Sequence, residues 1–394
     1  MLSGTNVEYA HQYNKRIVLE TIRRFEAISK AELSRQTGLT TQAIGNIVEQ
    51  FLDSGVVEVR GRQASKRGQP AVLLGLRPQG GYSVGLHLDR DHLSSVLLDL
   101  SGTALARFEL EWSFPTPEQA LPQLIAAIEE LLKLASVRQD QLWGVGVSLP
   151  GPIETGSGRL MSPPNFVGWN GATPRSWLEE RLLVPIYVET DATAAAIGER
   201  WFGAGRGHLN LFYVFLGMGV GGGMLSDGLP FRGASGSAAM FGHTPAGDEG
   251  RQCACGGTDC LETYISLAAL LNDLGQDALS HLAGTALGEV TPLPDAQLQV
   301  WLEQAAQRLA TAVISMKSLT DPEIVIIGGR MPSALLSPLI ERTARLVAQR
   351  EPRIVRPTHI VRAELSDDAA LGAATIALFN SITPDTEVLN KLQN

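Results

Sequence analysis

The pattern of apolar and polar positions divides the chain into a short helical unit, a β-rich stretch and a long alternation of strands and helices. The helical unit covers residues 13–55, a basic β-rich stretch covers 56–76, and a joint containing Pro and Gly follows at 77–81. We predict strands at 82–88, 94–99, 144–148, 186–189, 211–216 and 324–327, and helices at 117–135, 192–202, 261–274, 295–319 and 335–349. This alternation is typical of a layered α/β body.

Three helices are predicted in the helical unit. The first presents Ile17, Val18, Ile22 and Phe25 on roughly one face. The second begins at a capping box over residues 29–32, in which the serine oxygen accepts from the third amide and the glutamate reaches back, and it runs to about residue 36. A turn at residues 38–39 leads to a third helix that is capped by residue 40 or 41 and reaches about residue 53.

Two short helices joined by a glycine turn form a helix-turn-helix, whose second helix enters the DNA major groove. Its inward positions are apolar: Ile44, Ile47, Val48, Phe51 and Leu52. Its outward positions include Thr41, Gln42 and Asn46, which can hydrogen-bond to base edges. The alternative is that these three are ordinary polar surface residues.

A basic loop follows the helix-turn-helix. Strands at 56–60 and 71–76 flank residues 61–70, which contain Lys66 and Arg67 and no hydrophobic anchor. We predict a wing that contacts phosphates or the minor groove, with a solvated hairpin tip as the alternative. Residues 1–80 contain 11 Lys and Arg against 7 Asp and Glu, or +4, whereas the remainder carries 21 against 34, or −13. A basic module on an acidic body fits attraction to DNA at that end.

The composition argues against a membrane protein. Hydrophobic residues make up 44% and charged residues 19% of the chain, which suffices for buried cores. No uninterrupted apolar run reaches about 18 residues, as a membrane-spanning helix requires. The N-terminus lacks the basic-then-apolar pattern of a secretory signal, so we expect a cytoplasmic protein.

The three cysteines, Cys253, Cys255 and Cys260, lie within eight residues, and His243 precedes them by nine intervening residues. An odd, clustered number does not suit a disulfide framework. Three thiolates and one imidazole instead form a closed tetrahedral set for a structural zinc ion. Three unligated cysteines beside an unrelated histidine are the alternative.

Several motifs resemble those of the ROK family of repressors, open reading frames and sugar kinases. They are GH at 242–243 with CACGGTDCLE at 253–262, LPGP at 149–152, PN at 164–165, ETDA at 189–192, LGMGVGGG at 216–223 and IGG at 327–329. The wing sequence KRGQP at 66–70 resembles the repressor branch. The resemblance implies a winged helix-turn-helix over 1–78 and an actin-like ATPase fold over 79–394, with two α/β lobes that divide near residue 197 and a sugar in the cleft.

The resemblance also implies sugar contacts. Asp191 stands where the kinases have their catalytic base, with Thr190 in place of an asparagine. Sugar contacts are also implied for Asn165, His243 and Glu262, and Met240 replaces a customary glutamate. The resemblance therefore implies that His243 binds the metal through one ring nitrogen and donates a hydrogen bond to the sugar through the other.

The kinases bind phosphate through an Asp-x-Gly-Gly-Thr loop after the first strand. Here that loop is altered at His87, Asp89, Arg90 and Asp91. Side chains at 89 and 90 obstruct close approach of the backbone to phosphate, and carboxylates at 89 and 91 repel triphosphate. Met218 also replaces a threonine in the second loop. The expectation is a regulator and not an enzyme.

Three functions stay open. The first is a repressor of carbohydrate genes, bound to operator DNA as a homodimer or homotetramer and controlled by a sugar. The second is a sugar kinase with an added DNA-binding module. The third is a regulator controlled by a protein partner such as a transporter component.

Overall fold

The computed structural model describes residues 7–63, 70–112, 115–164, 166, 168–275, 296–352, 356–365 and 368–383. The N-terminal unit consists of α1 (Val7–Phe25), β1 (Ile28–Ser29), α2 (Lys30–Thr37), α3 (Thr41–Asp53), β2 (Val57–Gln63) and β3 (Ala71–Leu76). β3 lies between β1 and β2 and pairs antiparallel with both. The three helices and this small sheet enclose a core that includes Ile22, Leu33, Ile44 and Leu74. This is the predicted winged helix-turn-helix.

Side chains set the ends of the two helices of the helix-turn-helix. Ser29 Oγ accepts a hydrogen bond from the Glu32 amide at 3.2 Å, and Thr40 Oγ1 accepts one from the Ala43 amide at 3.2 Å. Each bond satisfies an amide that has no partner within its helix. Gly38 ends α2 with φ of 71°, a left-handed conformation that glycine adopts at no steric cost. Thr40 is therefore the cap of α3, and Thr41 is its first residue.

The predicted capping box is half correct. The Glu32 carboxylate accepts from Gln36 Nε2 at 2.7 Å and pairs with Arg35. Both partners lie one turn further along α2, where i,i+3 and i,i+4 side chains meet. The glutamate therefore turns toward them, and the Ser29 bond is the part of the box that forms.

The first half of the body is a five-stranded sheet with helices on it. Its elements are β4 (Tyr82–Leu88), β5 (His92–Asp99), β6 (Ala104–Glu111), α4 (Pro117–Ala135), β7 (Leu142–Leu149), α5 (Pro174–Leu182), β8 (Ile186–Thr190) and α6 (Asp191–Phe202). The strand order is β6-β5-β4-β7-β8. β4, β7 and β8 run parallel, and β5 and β6 run antiparallel to their neighbours. Leu124, Ile128 and Leu178 bury α4 and α5 against one face.

The second half contains a second five-stranded sheet. Its elements are β9 (Leu211–Leu216), β10 (Val220–Ser226), β11 (Leu229–Pro230), α7 (Glu262–Ile265), α8 (Leu267–Leu274), α9 (Ala296–Thr320), β12 (Ile324–Gly328), α10 (Ser333–Arg350), β13 (Ile360–Arg362) and α11 (Asp368–Ile382). The order is β11-β10-β9-β12-β13, with β9, β12 and β13 parallel. α7 to α10 pack on the face that carries Val214 and Ile327.

α6 and α11 lie between the two sheets. α6 contacts β9 and β10, and α11 packs on α6 and on β4 and β7. A Cβ on Gly146 would come within 1.8 Å of the Ala373 carbonyl oxygen, and one on Gly85 within 2.1 Å of the Ala370 carbonyl oxygen. Glycine at these positions lets α11 rest directly on the strands. Helix α11, which follows the second sheet in sequence, therefore packs against the first sheet.

Some element predictions need correction. The helix expected over 261–274 is two helices, because Ser266 leaves the helical conformation at φ −77° and ψ 166° and caps α8 through the Ala269 amide. β6, β10, α5 and α11 were not predicted from the sequence pattern. The division at residue 78, and the lobe division near residue 197, which falls inside α6, stay predictions.

Candidate functional site

The recognition helix α3 presents a polar face to solvent. Thr41, Gln42 and Asn46 are exposed, while Ile44 and Ile47 on the opposite face are buried. The amphipathic pattern of the helix therefore separates its packing residues from residues that can reach base edges. Two further predicted DNA contacts, Lys66 and Arg67, lie outside the described residues.

A narrow cleft lies between the two halves of the body, with a cavity of about 80 Å³. Five of the predicted effector residues line it together: Thr190, Asp191, Met240, His243 and Glu262. Asn165 lies outside the described residues, although the adjacent Pro164 lines the same cavity. The five predicted residues, which are up to 72 positions apart in sequence, therefore meet in one site, because β8, the β9–β10 turn and the segment before the cysteines converge there.

Thr190 and Asp191 occupy the junction between β8 and α6. Thr190 Oγ1 accepts from the Thr193 amide at 3.3 Å and lies 2.9 Å from Thr193 Oγ1, so this hydroxyl is engaged in capping α6. Asp191 Oδ1 accepts from the Ala192 amide at 2.7 Å. The first turn of a helix favours an ionised carboxylate. The side chain is thereby oriented for hydrogen bonding at the edge of the cavity.

Glu262 is held against the glycine-rich β9–β10 turn. Its Oε2 accepts from the Val220 amide at 2.8 Å. A Cβ on Gly219 would lie 2.6 Å from that oxygen, so the close approach depends on glycine. Glu262 begins α7 and follows Cys260 by two residues. The position of this carboxylate is therefore tied to the cysteine loop.

The predicted metal ligands form one cluster. The donor atoms of His243, Cys253, Cys255 and Cys260 all lie within 4.8 Å of one another. His243 Nδ1 is 3.6 Å from Cys253 Sγ, and Cys255 Sγ is 3.7 Å from Cys260 Sγ. A tetrahedral zinc ion, with bonds of about 2.3 Å to sulfur and about 2.0 Å to nitrogen, requires separations of roughly 3.6 Å and roughly 3.8 Å for these two kinds of pair. The donor set fits a structural metal ion.

His243 belongs to both the cluster and the cleft. Its Nδ1 faces Cys253, and the residue also lines the cavity beside Glu262. The two ring nitrogens of an imidazole point in different directions, so one can bind a metal while the other donates to a ligand. The double role of His243 stays a prediction.

The ROK family model matches residues 83–379 of this chain. The chain belongs to the ROK family. Similar proteins include the xylose repressor of Caldicellulosiruptor bescii, 28% identical over 333 residues that cover 81% of this chain and 83% of the relative. The N-acetylglucosamine repressor of Escherichia coli O157:H7 is 27% identical over 395 residues, with 96% of both chains covered.

Solved ROK structures share the fold. A ROK family transcriptional regulator, described as a homolog of the Escherichia coli MLC protein, matches with a TM-score of 0.77 and 21% identity over 95% of this chain and 98% of that chain. A ROK family glucokinase from Streptomyces griseus, in complex with glucose and AMPPNP, matches with a TM-score of 0.65 and 25% identity over 76% of this chain and 99% of that chain. The kinase thus matches over almost its full length while leaving about a quarter of this ROK chain unmatched.

The region of the first phosphate loop is occupied by side chains in this ROK chain. Asp89 Oδ1 accepts from the Arg90 amide at 2.7 Å and from Arg90 Nε at 3.1 Å. A Cβ on Gly219 would lie 3.4 Å from Arg90 Nη2, which places the guanidinium against the second glycine-rich loop. Arg90 therefore fills space between the two loops, as the sequence suggests for a side chain at this position.

The predicted repulsion of triphosphate by two carboxylates stays a prediction, and each carboxylate has a local partner. Asp89 pairs with Arg90, and Asp91 Oδ1 lies 2.6 Å from His92 Nδ1. His92 holds the pKa of Asp91 below its usual range through this hydrogen bond. Arg90 therefore offsets the charge of Asp89, whereas Asp91 stays ionised beside His92.

A buried histidine pair lies behind this loop. His87 Nδ1 is 3.2 Å from His92 Nε2, and the His87 ring meets Phe215 of the second half edge to face at 6.1 Å. Complete burial lowers the pKa of His87 well below its usual value, and the charges of His92 and Arg330 act in the same direction. His87 is therefore neutral at pH 7.

Two polar contacts join the halves of the body around the cleft. Arg232 donates to the buried Glu189 carboxylate at 3.0 and 3.4 Å, and Arg330 Nη1 lies 3.2 Å from Ser94 Oγ. Burial raises the pKa of Glu189, and the Arg232 charge opposes that rise. These two contacts were missed by sequence reasoning, since each joins residues that are remote in sequence. These contacts link the two halves beside the cleft.

The described helices include none that is both long enough and apolar enough to cross a membrane.

Proposed function

We propose that this chain is a sequence-specific DNA-binding transcriptional regulator that represses carbohydrate genes and responds to a sugar in its cleft. The observation that carries the proposal is the pairing of an exposed, polar recognition helix with a ROK body in which the predicted sugar-contact residues line one cleft and Arg90 fills the space at the predicted first phosphate loop. Relatives named as xylose and N-acetylglucosamine repressors support this assignment over most of the chain. Such a regulator acts in the cytoplasm, where the operator DNA is.

The DNA contacts that we propose are Thr41, Gln42 and Asn46 on α3, with Lys66 and Arg67 on the wing. Amide side chains such as those of Gln42 and Asn46 suit adenine, and the Thr41 methyl suits thymine. The wing residues suit phosphate. A symmetric homodimer or homotetramer would place two recognition helices on half-sites about one or two helical turns apart.

The effector that we propose is a sugar or sugar derivative held by Asn165, Asp191, His243 and Glu262. Met240 and Thr190 complete the wall, and both alter the hydrogen bonding available to hydroxyl groups. The closed cavity of about 80 Å³ is well below the roughly 300–1,000 Å³ of ligand pockets. Binding therefore requires the two halves to move apart, and a sugar that prefers the opened arrangement shifts the regulator toward it.

The metal that we propose at His243, Cys253, Cys255 and Cys260 is zinc. Four protein ligands leave no open coordination position, so its contribution is structural. It would hold the loop that ends at Cys260 and thereby keep Glu262 against the Val220 amide. His243 would couple the same loop to the sugar.

Fluorescence anisotropy with a labelled duplex from the region upstream of the gene tests the DNA function. The protein should prefer this duplex over an unrelated one of equal length, and its affinity should fall as salt rises, because phosphate contacts release counterions. Equal affinity for both duplexes would refute the regulator assignment.

Thermal unfolding with a panel of hexoses, pentoses, amino sugars, polyols, sugar phosphates and ATP tests the effector. A sugar at about a hundred times its dissociation constant should stabilise the protein by about 2.7 kcal/mol. Asp191→Asn should abolish this shift and leave DNA binding intact, whereas Asp140→Asn, an exposed residue outside the cleft, should change neither.

The same experiment separates the other two functions. Stabilisation by ATP with ADP release on a sugar would favour a kinase that carries a DNA-binding module. Specific DNA binding that no sugar alters, but that a transporter component relieves, would favour control by a protein partner.

A further inference from the structure

A cavity of about 440 Å³ lies at the joint between the N-terminal unit and the body. Its walls come from the end of α1, from β2 and β3, from α6 and from the segment 206–209. Five arginines line it: Arg23, Arg24, Arg60, Arg200 and Arg206. Glu26 is the one carboxylate among these described lining residues. This concentration of positive charge contrasts with the acidic composition of the body.

Two of the arginines have their charge balanced. Arg23 donates to the Glu20 carboxylate at 2.7 and 2.8 Å, and its guanidinium carbon lies 4.0 Å from the centre of the Trp201 ring. Arg60 pairs with Glu58 at 3.1 Å. These contacts explain the position of both side chains without a ligand.

Arg200 is different. Its Nε and Nη1 are buried and have no hydrogen-bond partner in the described structure. Burial lowers the pKa of Arg200, and the charges of Arg23 and Arg24 lower it further, while that of Glu20 opposes the change. A buried guanidinium whose donors are unmet is rare, because ionised groups retain partners when they leave water.

Three neighbouring side chains also carry hydrogen-bond donors or positive charge without a partner among the described residues. The indole Nε1 of Trp201 is also buried without a partner, although the residue lines the cavity. Arg24 and Arg206 are exposed at its rim, and no ion pair to either is found within the described part of the chain. The cavity therefore combines the buried nitrogen donors of Arg200 and Trp201 with the exposed guanidinium groups of Arg24 and Arg206 at its rim.

The ends of helices do not account for this arrangement. Arg23 and Arg24 lie in the last turn of α1, and Arg200 lies in the last turn of α6, where cations stabilise the helix dipole. That effect favours a basic residue there, but it does not satisfy donors that reach no carbonyl oxygen. The buried nitrogens of Arg200 need an acceptor that the described chain does not supply.

We propose that this cavity is a second ligand site, distinct from the sugar cleft, that binds a small phosphate monoester or inorganic phosphate. The fork of guanidinium donors matches phosphate oxygens, and a phosphate would offset up to two of the three positive charges of Arg24, Arg200 and Arg206. The volume lies within the range of small-molecule pockets.

A small ligand fits these walls better than a DNA strand does. No described residue of α2 or α3 lines the cavity, and Arg200 Nε and Nη1 have almost no exposed surface, so a ligand contacts them only after a local shift of the side chain that a small anion can induce. Arg24 belongs to the N-terminal unit, whereas Arg200 and Arg206 belong to the body. A bound phosphate would therefore link the N-terminal unit to the body and favour one orientation of α3 relative to the body.

Isothermal titration calorimetry at constant ionic strength tests the proposal on the full-length, zinc-loaded protein. The probes are inorganic phosphate and glucose 6-phosphate, with glucose as the unphosphorylated comparison. The protein should bind at least one phosphate probe at one site per chain. Tight binding of glucose 6-phosphate alone would identify a sugar ester as the ligand class, and equal binding of both probes would identify phosphate itself.

Variants locate the site. Arg24→Gln combined with Arg206→Gln changes two exposed side chains and should weaken phosphate binding at least tenfold. Arg181→Gln, which removes an exposed arginine on α5 outside the cavity, should leave it unchanged, as should Asp191→Asn in the sugar cleft. An Asp191→Asn variant that still binds phosphate separates this site from the proposed effector site.

Three results would overturn the proposal. The first is the absence of saturable binding of either phosphate probe. The second is an equal loss of affinity in the Arg181→Gln control, which would indicate nonspecific charge attraction. The third is a double variant that binds phosphate normally but loses operator affinity, since the arginines would then contact DNA.

Discussion

Replacing Cys255 by serine tests the contribution of the proposed zinc ion. Cys255 is the exposed member of the cluster, and its Sγ lies 3.7 Å from Cys260 Sγ. Serine is nearly isosteric but is a poor zinc ligand. At an exposed position without a metal, such a change costs no more than about 0.5 kcal/mol. A larger effect therefore measures the loss of metal binding.

The size of the expected change in Tm follows from the linkage between metal binding and folding. A metal present at about a thousand times its dissociation constant stabilises the folded state by about 4.1 kcal/mol. In a domain of roughly 150–250 residues, each kcal/mol shifts Tm by about 2–4 °C. Loss of the ion should therefore lower the Tm of the metal-bearing half by roughly 8–16 °C.

Elemental analysis and scanning calorimetry, with and without chelator, measure both quantities. The wild type should carry one zinc ion per chain, and its Tm should fall with chelator. Cys255→Ser should lack zinc, and its Tm should not change with chelator. Thr258→Ser, in the same loop but outside the cluster, should behave as the wild type. A Cys255→Ser protein with full zinc content and an unchanged Tm would refute the ligand assignment.

Three further predictions concern the DNA face, the cleft and pH. Asn46→Ala should weaken operator binding by about 1–3 kcal/mol in anisotropy titrations, through loss of a base contact; unchanged affinity would remove Asn46 from the interface. Gly219→Ala should weaken sugar binding with zinc content unchanged, because the new Cβ would lie 2.6 Å from Glu262 Oε2; unaltered sugar affinity would show that this carboxylate is not a contact. Burial keeps His87 neutral in the folded state, while the unfolded chain takes up a proton below about pH 6.5. Stability should therefore fall by up to about 1.4 kcal/mol per pH unit as pH drops below that value. In urea titrations at pH 7.5 and 5.5, His87→Gln should reduce this loss, and an identical loss in the variant would contradict the interpretation.

Local chemistry made parts of this protein predictable. The caps at Ser29 and Thr40 and the turn at Gly38 depend on bonds within a few residues, so the helix-turn-helix was correct from the pattern. The cluster of cysteines with His243 was predictable for the same reason, because short spacing in sequence forces closeness in space. The cleft residues were found through the family resemblance, since no periodicity joins Asp191 to Glu262.

Where several local partners compete, the pattern was a weaker guide. Glu32 satisfies the motif of a capping box, but Gln36 and Arg35 take its carboxylate. Asp89 and Asp91 form a pair of like charges in sequence, yet Asp89 pairs with Arg90, and Asp91 Oδ1 lies 2.6 Å from His92 Nδ1. Sequence identifies which groups are near one another, whereas the side-chain conformation decides which of them pair.

The amino-acid sequence by itself determined the helix-turn-helix, the alternation of strands and helices and the cluster of His243 with the three cysteines, because each rests on residues that are close together in sequence. Only the tertiary structure decided that α11 returns to cover the first sheet, that Glu189 meets Arg232 across the cleft, and that arginines from α1 and α6 share one cavity. These contacts join segments far apart in sequence. Their geometry depends on how whole sheets and helices pack, and a linear pattern does not contain that information.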